Sequence, residues 1–131
     1  MLTGKEISDA KKRTKYSQGA KELLHEHDDC VRIAYEWLDA QIKTKGFVKP
    51  PYPLKHIIER LGGRYVSQSD VEVAAELHTE VRGTYPHFNI SSRLTLPSDA
   101  RLANIVEART QNRGPDVRRI RQMYSKREVA N

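Results

Sequence analysis

Three prolines within four positions, Pro50, Pro51 and Pro53, impose a break that neither a helix nor a central strand can pass through in this 131-residue chain. Proline fixes φ, lacks an amide hydrogen and pushes the residue before it out of the helical region, so KGFVKPPYP is predicted to be an extended connector. Pro53 suits the first position of a new helix, whose buried stripe would be Leu54, Ile57, Ile58 and Leu61. Gly62 and Gly63 end that helix, because glycine enters the left-handed cap conformation without steric cost. Arg64, Tyr65 and Val66 then have room only for a short strand or a turn.

Upstream of the prolines, Val31, Ala34, Trp37, Leu38, Gln41 and Ile42 recur at three- and four-residue spacing. They predict a core helix from Asp28 or Asp29, with Gly46 as its stop and Trp37 as its largest apolar group. Asp28 and Asp29 would meet the partial positive charge at its start. Residues 1–24 show weaker apolar spacing (Leu2, Ile7, Ala10) and read as a short helix or a mobile arm.

Downstream, Ser67 with Asp70 forms a capping box with a shortened acid, and Ser69 with Glu72 a full one, so a helix starts here in either register. Val71, Ala74, Ala75 and Leu77 face inward, and Glu72, Glu76 and Glu80 form an acidic stripe. Two readings compete for 88–96. Asn89 caps a short helix ended by Pro97, or Phe88 and Ile90 pair with Leu94 and Leu96 across Ser91-Ser92-Arg93 as a hairpin. The helix is preferred, because that turn has neither Gly nor Asn. Ser98 caps a helix to Arg109 with Leu102, Ile105 and Val106 inward. Residues 111–115 break the pattern, and a last helix runs from Asp116 with Val117, Ile120 and Met123 or Tyr124 on one side.

The expected fold is therefore mainly α: a compact single-domain helical bundle with a helix-turn-helix-like unit at 67–96 and at most one short β-hairpin. A basic arm (1–24), a helical core (25–110) and a basic tail (111–131) make up the chain. With 37% hydrophobic and 31% charged residues, it can build one modest core. No run approaches a membrane span, and the start lacks the apolar core of a signal peptide, so a cytoplasmic location is expected.

Catalytic and metal motifs are sparse. Cys30 stands alone and reads as a buried small thiol. In HEHDDC (25–30), His25 and His27 would point about 200° apart on a helix and share no metal, whereas in an extended segment they could share one. His56, His78 and His87 are scattered without zinc spacing, so neither metal nor cofactor is expected. With no phosphate loop, nucleophile elbow, HExxH or converging carboxylates, a non-enzyme is expected, and a metal-dependent nuclease is the minority reading.

Net charge is +6 and is laid down in blocks. Residues 1–24 carry six Lys/Arg against three acids, 25–41 one against five, 42–66 six against one, 67–80 none against four, and 100–131 eight against three. Such basic ends suit a polyanion. Over residues 54–96 the pattern of a helix, a Ser-capped helix, a turn and a third short element resembles winged helix-turn-helix DNA-binding proteins, although its turn, 79–88, is longer than usual. That resemblance implies binding to duplex DNA, with RNA as a second polyanion, by a small regulator or accessory factor, with a homodimer compatible with it. Asn89, Ser91, Ser92 and Arg93 would meet bases or phosphates. Lys11, Lys12, Arg13 and Lys15, together with Arg113, Arg118, Arg119, Arg121, Lys126 and Arg127, would track the backbone. Tyr16, Tyr85 and Tyr124 are expected to pack rather than stack on bases. The alternative is a helical interaction protein that binds and modulates a larger protein partner through the acidic 72–80 stripe or through exposed aromatic residues.

Overall fold

The structure is a computed structural model and describes residues 1–16, 24–48, 53–111 and 123–128. Its first helix, α1 (Gly4–Arg13), opens on a reciprocal cap. The Thr3 hydroxyl accepts from the Glu6 amide, and the Glu6 carboxylate accepts from the Thr3 amide. Ile7 and Ala10 are its fully buried positions. The N-terminal segment is thus helical as far as Arg13.

Helix α2 (Asp28–Ala40) carries the bulk of the core: Cys30, Val31, Ile33, Ala34, Trp37 and Leu38 have no exposed surface. Asp28 and Asp29 sit in its first turn as expected, but the cap is the ring of His27, whose Nδ1 accepts from the Asp29 amide at 2.9 Å. The helix ends at Ala40, well before Gly46. Gln41 is extended, and its side chain pairs with the backbone of Thr95 in both directions, Nε2 donating to the Thr95 carbonyl and Oε1 accepting from its amide, each at 2.9 Å. The Lys43 ammonium donates to the carbonyls of Leu38, Asp39 and Gln41, filling the orphan acceptors of the helix end. Gly46 lies inside a strand, β1 (Lys43–Val48), and Ile42 is 45% exposed.

Helix α3 (Leu54–Gly62) starts directly after Pro53 and buries Leu54, Ile57, Ile58 and Leu61. Gly63 caps it at φ 57°, a left-handed value. Helix α4 (Gln68–Leu77) is capped in the first of the two registers, Ser67 Oγ accepting from the Asp70 amide while Asp70 accepts from the Ser67 amide. Helix α4 packs against α2, α1 lies on α4, and α3 lies on α2.

The remainder departs from a helical bundle and makes the fold mixed α/β. Strands β2 (Gly83–Thr84) and β3 (His87–Ile90) form a tight hairpin across Tyr85-Pro86, whose peptide bond is cis. Strand β1 pairs antiparallel on the other side of β3, giving the order β1-β3-β2. Lys43 lies opposite Ile90 and Val48 opposite Phe88, so β1 spends several more residues than β3 over the same span and bulges. Strand β4 (Leu94–Leu96) pairs in parallel with β5 (Tyr124–Arg127).

Residues 88–96 therefore form neither the preferred recognition helix nor the alternative hairpin, because each half finds its partner elsewhere in the chain. Beyond Ser98 the chain makes a 3-10 turn, Asp99–Leu102, with no side-chain cap. Leu102 and Ile105 are buried there, while Val106 is 83% exposed. Tyr124 belongs to a strand, not to a last helix; the rest of that expected helix, including Val117 and Ile120, lies outside the described residues. The Tyr124 hydroxyl accepts from Trp37 Nε1 at 2.9 Å, and burial pushes its pKa up to about 12 against the opposing effect of that bond.

Candidate functional site

The residues expected to meet nucleic acid do not converge. Asn89 is 7% exposed and wholly engaged inward, its Oδ1 accepting from the Arg82 amide and its Nδ2 donating to the Glu80 carbonyl. Ser91 Oγ accepts from the Arg93 amide, leaving Ser92 and Arg93 exposed on the connector between β3 and β4. On α1, Lys11 is tied to Asp28 and Arg13 to Glu76, while Lys12 and, just beyond the helix, Lys15 are exposed. Lys126 and Arg127 are exposed on β5. Arg113, Arg118, Arg119 and Arg121 lie outside the described residues. The acidic stripe is not a continuous exposed face: Glu72 is 8% exposed, Glu76 meets Arg13, and Glu80 follows the end of α4. A protein partner would find no row of three open carboxylates there.

What the strands share is their charge, although Asp39, Glu80 and Glu128 at their margins lie close enough to act on Lys43 of β1. Strands β1 to β5 (KTKGFV, GT, HFNI, LTL, YSKR) contain no Asp or Glu. The two longest acid-free runs of the chain, 40–58 and 81–98, supply the whole β1-β3-β2 sheet together with β4. On these strands and their flanks, Lys45, Arg82, Arg93, Lys126 and Arg127 are exposed and make no ion pair among the described residues. On the helical side Lys5, Lys12 and Lys15 are also exposed and make no ion pair among the described residues, but the cations of α2, Arg64 and Arg101 are consumed. Arg32 meets Asp29, Arg64 meets Glu26 and Glu107, and Arg101 meets Glu36, Asp39 and Glu128.

Within the sheet, Phe47 is 59% exposed, and its ring lies over Gly83. Gly83 has φ 107°, and a side chain there would collide with the His87 carbonyl and come within 2.9 Å of Phe47 Cδ1. Glycine is thus what allows the hairpin to turn under the ring. Arg82 and Thr84 border that position in the chain, Thr84 is paired with His87, and Arg82, Thr84 and His87 are all exposed.

The chain matches no protein-family model, no curated protein and no solved structure. Function must be argued from the geometry.

Other candidate sites are closed by their own chemistry. A cavity of about 440 Å³ between α1, α2 and the turn after Ser98 is lined by Glu6, Arg32, Tyr35, Glu36 and Arg101. Both arginines already face carboxylates, which leaves no net attraction for an anion. Cys30 donates to the Tyr65 carbonyl, and burial pushes its thiol up to about 12, so it stays protonated and unreactive. His25 is held between Tyr16 and the buried Asp70, at 3.3 and 2.7 Å, and ties the chain after α1 to the start of α4. His27 is the cap of α2, and no group of three metal-ligating side chains gathers among the described residues. Likewise no described helix is long and apolar enough to cross a membrane.

Tyr16, Tyr85 and Tyr124 are all at least partly covered, and Tyr85 accepts from the Lys55 amide. Among the described residues the exposed aromatic is instead Phe47, which the proline pattern alone places in a connector. Its signal in the sequence is an aromatic residue two positions after a lysine, inside the longer acid-free run.

Proposed function

We propose that this protein binds nucleic acid, and that the strand-borne side of the molecule is the binding surface. The observation that supports the reading is the segregation of charge: acids pair with cations around the helices, while the strands hold exposed cations and no acid. An uncompensated cationic surface releases counterions when it meets a polyphosphate, and this release gives affinity without any sequence contact. With no helix at 88–96, groove insertion has no support from the fold, so phosphate contacts carry the binding.

Fluorescence anisotropy against duplex DNA, single-stranded DNA and RNA, each at several salt concentrations, tests this. Affinity should fall steeply with salt for at least one of the three. Lys126→Gln combined with Arg127→Gln should weaken binding and flatten the log-log salt dependence by roughly 0.7–0.9 for each phosphate no longer neutralised. Lys11→Gln, which removes a cation already paired with Asp28, should leave it nearly unchanged. Absence of binding at low salt, or equal weakening in the two variants, would refute the assignment.

A further inference from the structure

We infer that the occupant of the sheet is single-stranded polynucleotide, with one unpaired base stacked on the Phe47 ring and the adjoining phosphates held by Lys45 and Arg82. This rests on the nucleic-acid reading above and names the form of the ligand. The ring is 59% exposed, and it is not a side chain adrift on a loop. It lies over the backbone of Gly83, on a strand paired with β3, which also pairs with β2. Every base has a π-face, so a fixed aromatic flanked by cations accepts unpaired bases irrespective of sequence. A duplex cannot use it without first unstacking a base.

Charge decides for polynucleotide over an apolar protein segment as the occupant. Lys45 precedes the ring by two positions on β1 and Arg82 is the chain neighbour of Gly83; both are exposed, neither is ion-paired among the described residues, and no acid occurs in 40–58 or 81–98. An apolar peptide would cover Phe47 but leave those cations unanswered. A phosphodiester chain answers both. Thr84 and His87, exposed on the paired strands alongside, add neutral groups able to bond a base edge or sugar.

Anisotropy titrations of the full chain with labelled oligothymidylate, oligouridylate and a duplex of equal length provide the test, repeated for Phe47→Ala, Phe47→Leu and Phe47→Tyr. Loss of the ring should weaken oligothymidylate binding about five- to 150-fold, the range seen when a base-stacking aromatic is removed. Phe47→Leu keeps an apolar cover over Gly83 and separates loss of stacking from loss of the local fold, and Phe47→Tyr should restore binding. Duplex binding should be indifferent to all three. Comparing oligothymidylate with oligouridylate tells whether the sugar is read. If the wild-type protein binds duplex but not single strands, or if Phe47→Leu binds oligothymidylate as the wild type does, the inference fails while nucleic-acid binding stands. If no polynucleotide binds at low salt, the broader reading fails with it.

Discussion

Gln41 falls on the apolar stripe of α2 in the sequence yet is polar, and the structure gives the reason. Its amide takes the place of a neighbouring strand for Thr95, satisfying one donor and one acceptor of β4 on the edge away from β5, and Nε2 also donates to the Trp37 carbonyl. The group is 3% exposed, so water cannot substitute. Gln41→Leu, which roughly keeps the volume, should cost about 2–6 kcal/mol by stranding two buried backbone groups at ~1–3 kcal/mol each. Urea unfolding is the measurement, and a midpoint equal to wild type would show the pairing contributes nothing. The Thr95 hydroxyl is the opposite case: it is buried and has no hydrogen-bond partner among the described residues. Thr95→Val keeps the backbone pairing and removes the orphan, so it should leave stability unchanged or raise it by about 1 kcal/mol.

At the scale of elements, α4 shows what local chemistry can specify. Its start is readable from Ser67 and Asp70 because a capping box closes within four residues, and the structure uses that register. Ser67 Oγ also donates to the Leu24 carbonyl at 2.5 Å, an interaction no local pattern announces. Ser67→Ala should therefore lower stability by about 1–2 kcal/mol, toward the upper end for a cap residue, and Ser67→Asp should recover only the capping part. Thermal unfolding followed by circular dichroism would decide; full recovery in Ser67→Asp would deny the bond to Leu24 any value.

The same logic explains why α2, α3 and Gly63 are legible in the sequence while β3 and β4 are not. Residues 88–96 carry both a helix cap and an alternation, and what decides between them is β1, some forty positions earlier, and β5, some thirty later. The candidate surface is hidden for a related reason. Lys45 and Phe47 sit next to the prolines, so they read as connector, and nothing local says that Gly83 will pass beneath the ring.

Across the whole molecule, cohesion of distant segments depends on a few arginines. Arg101 reaches Glu36 and Asp39 of α2 and grips both oxygens of Glu128, at 2.6 and 2.7 Å, fastening the segment after β5 to the helical layer. Asp39 in turn accepts from His78 at the end of α4. Hydrogen bonds from Arg101 hold the Glu128 carboxyl below its ordinary value. Burial alone would raise Asp39, but bonds from Arg101 and His78 outweigh it and the net shift is downward. Asp29 behaves likewise, burial being outweighed by Arg32 and the Glu107 amide. Carboxyls with depressed folded-state values bind protons more readily when unfolded, so their contribution to stability is complete above the ordinary carboxylate range and drains away as pH falls through the lowered values. Urea midpoints measured from about pH 6 down to about pH 2 should therefore decline steeply below about pH 4. Removing the shared partner should flatten that decline: Arg101→Gln is expected to be less stable than wild type at neutral pH and to lose less on acidification. An acid slope unchanged in Arg101→Gln would place the pH dependence outside this cluster, at Asp29 or at the repulsion among the 23 Lys/Arg residues of an increasingly positive chain.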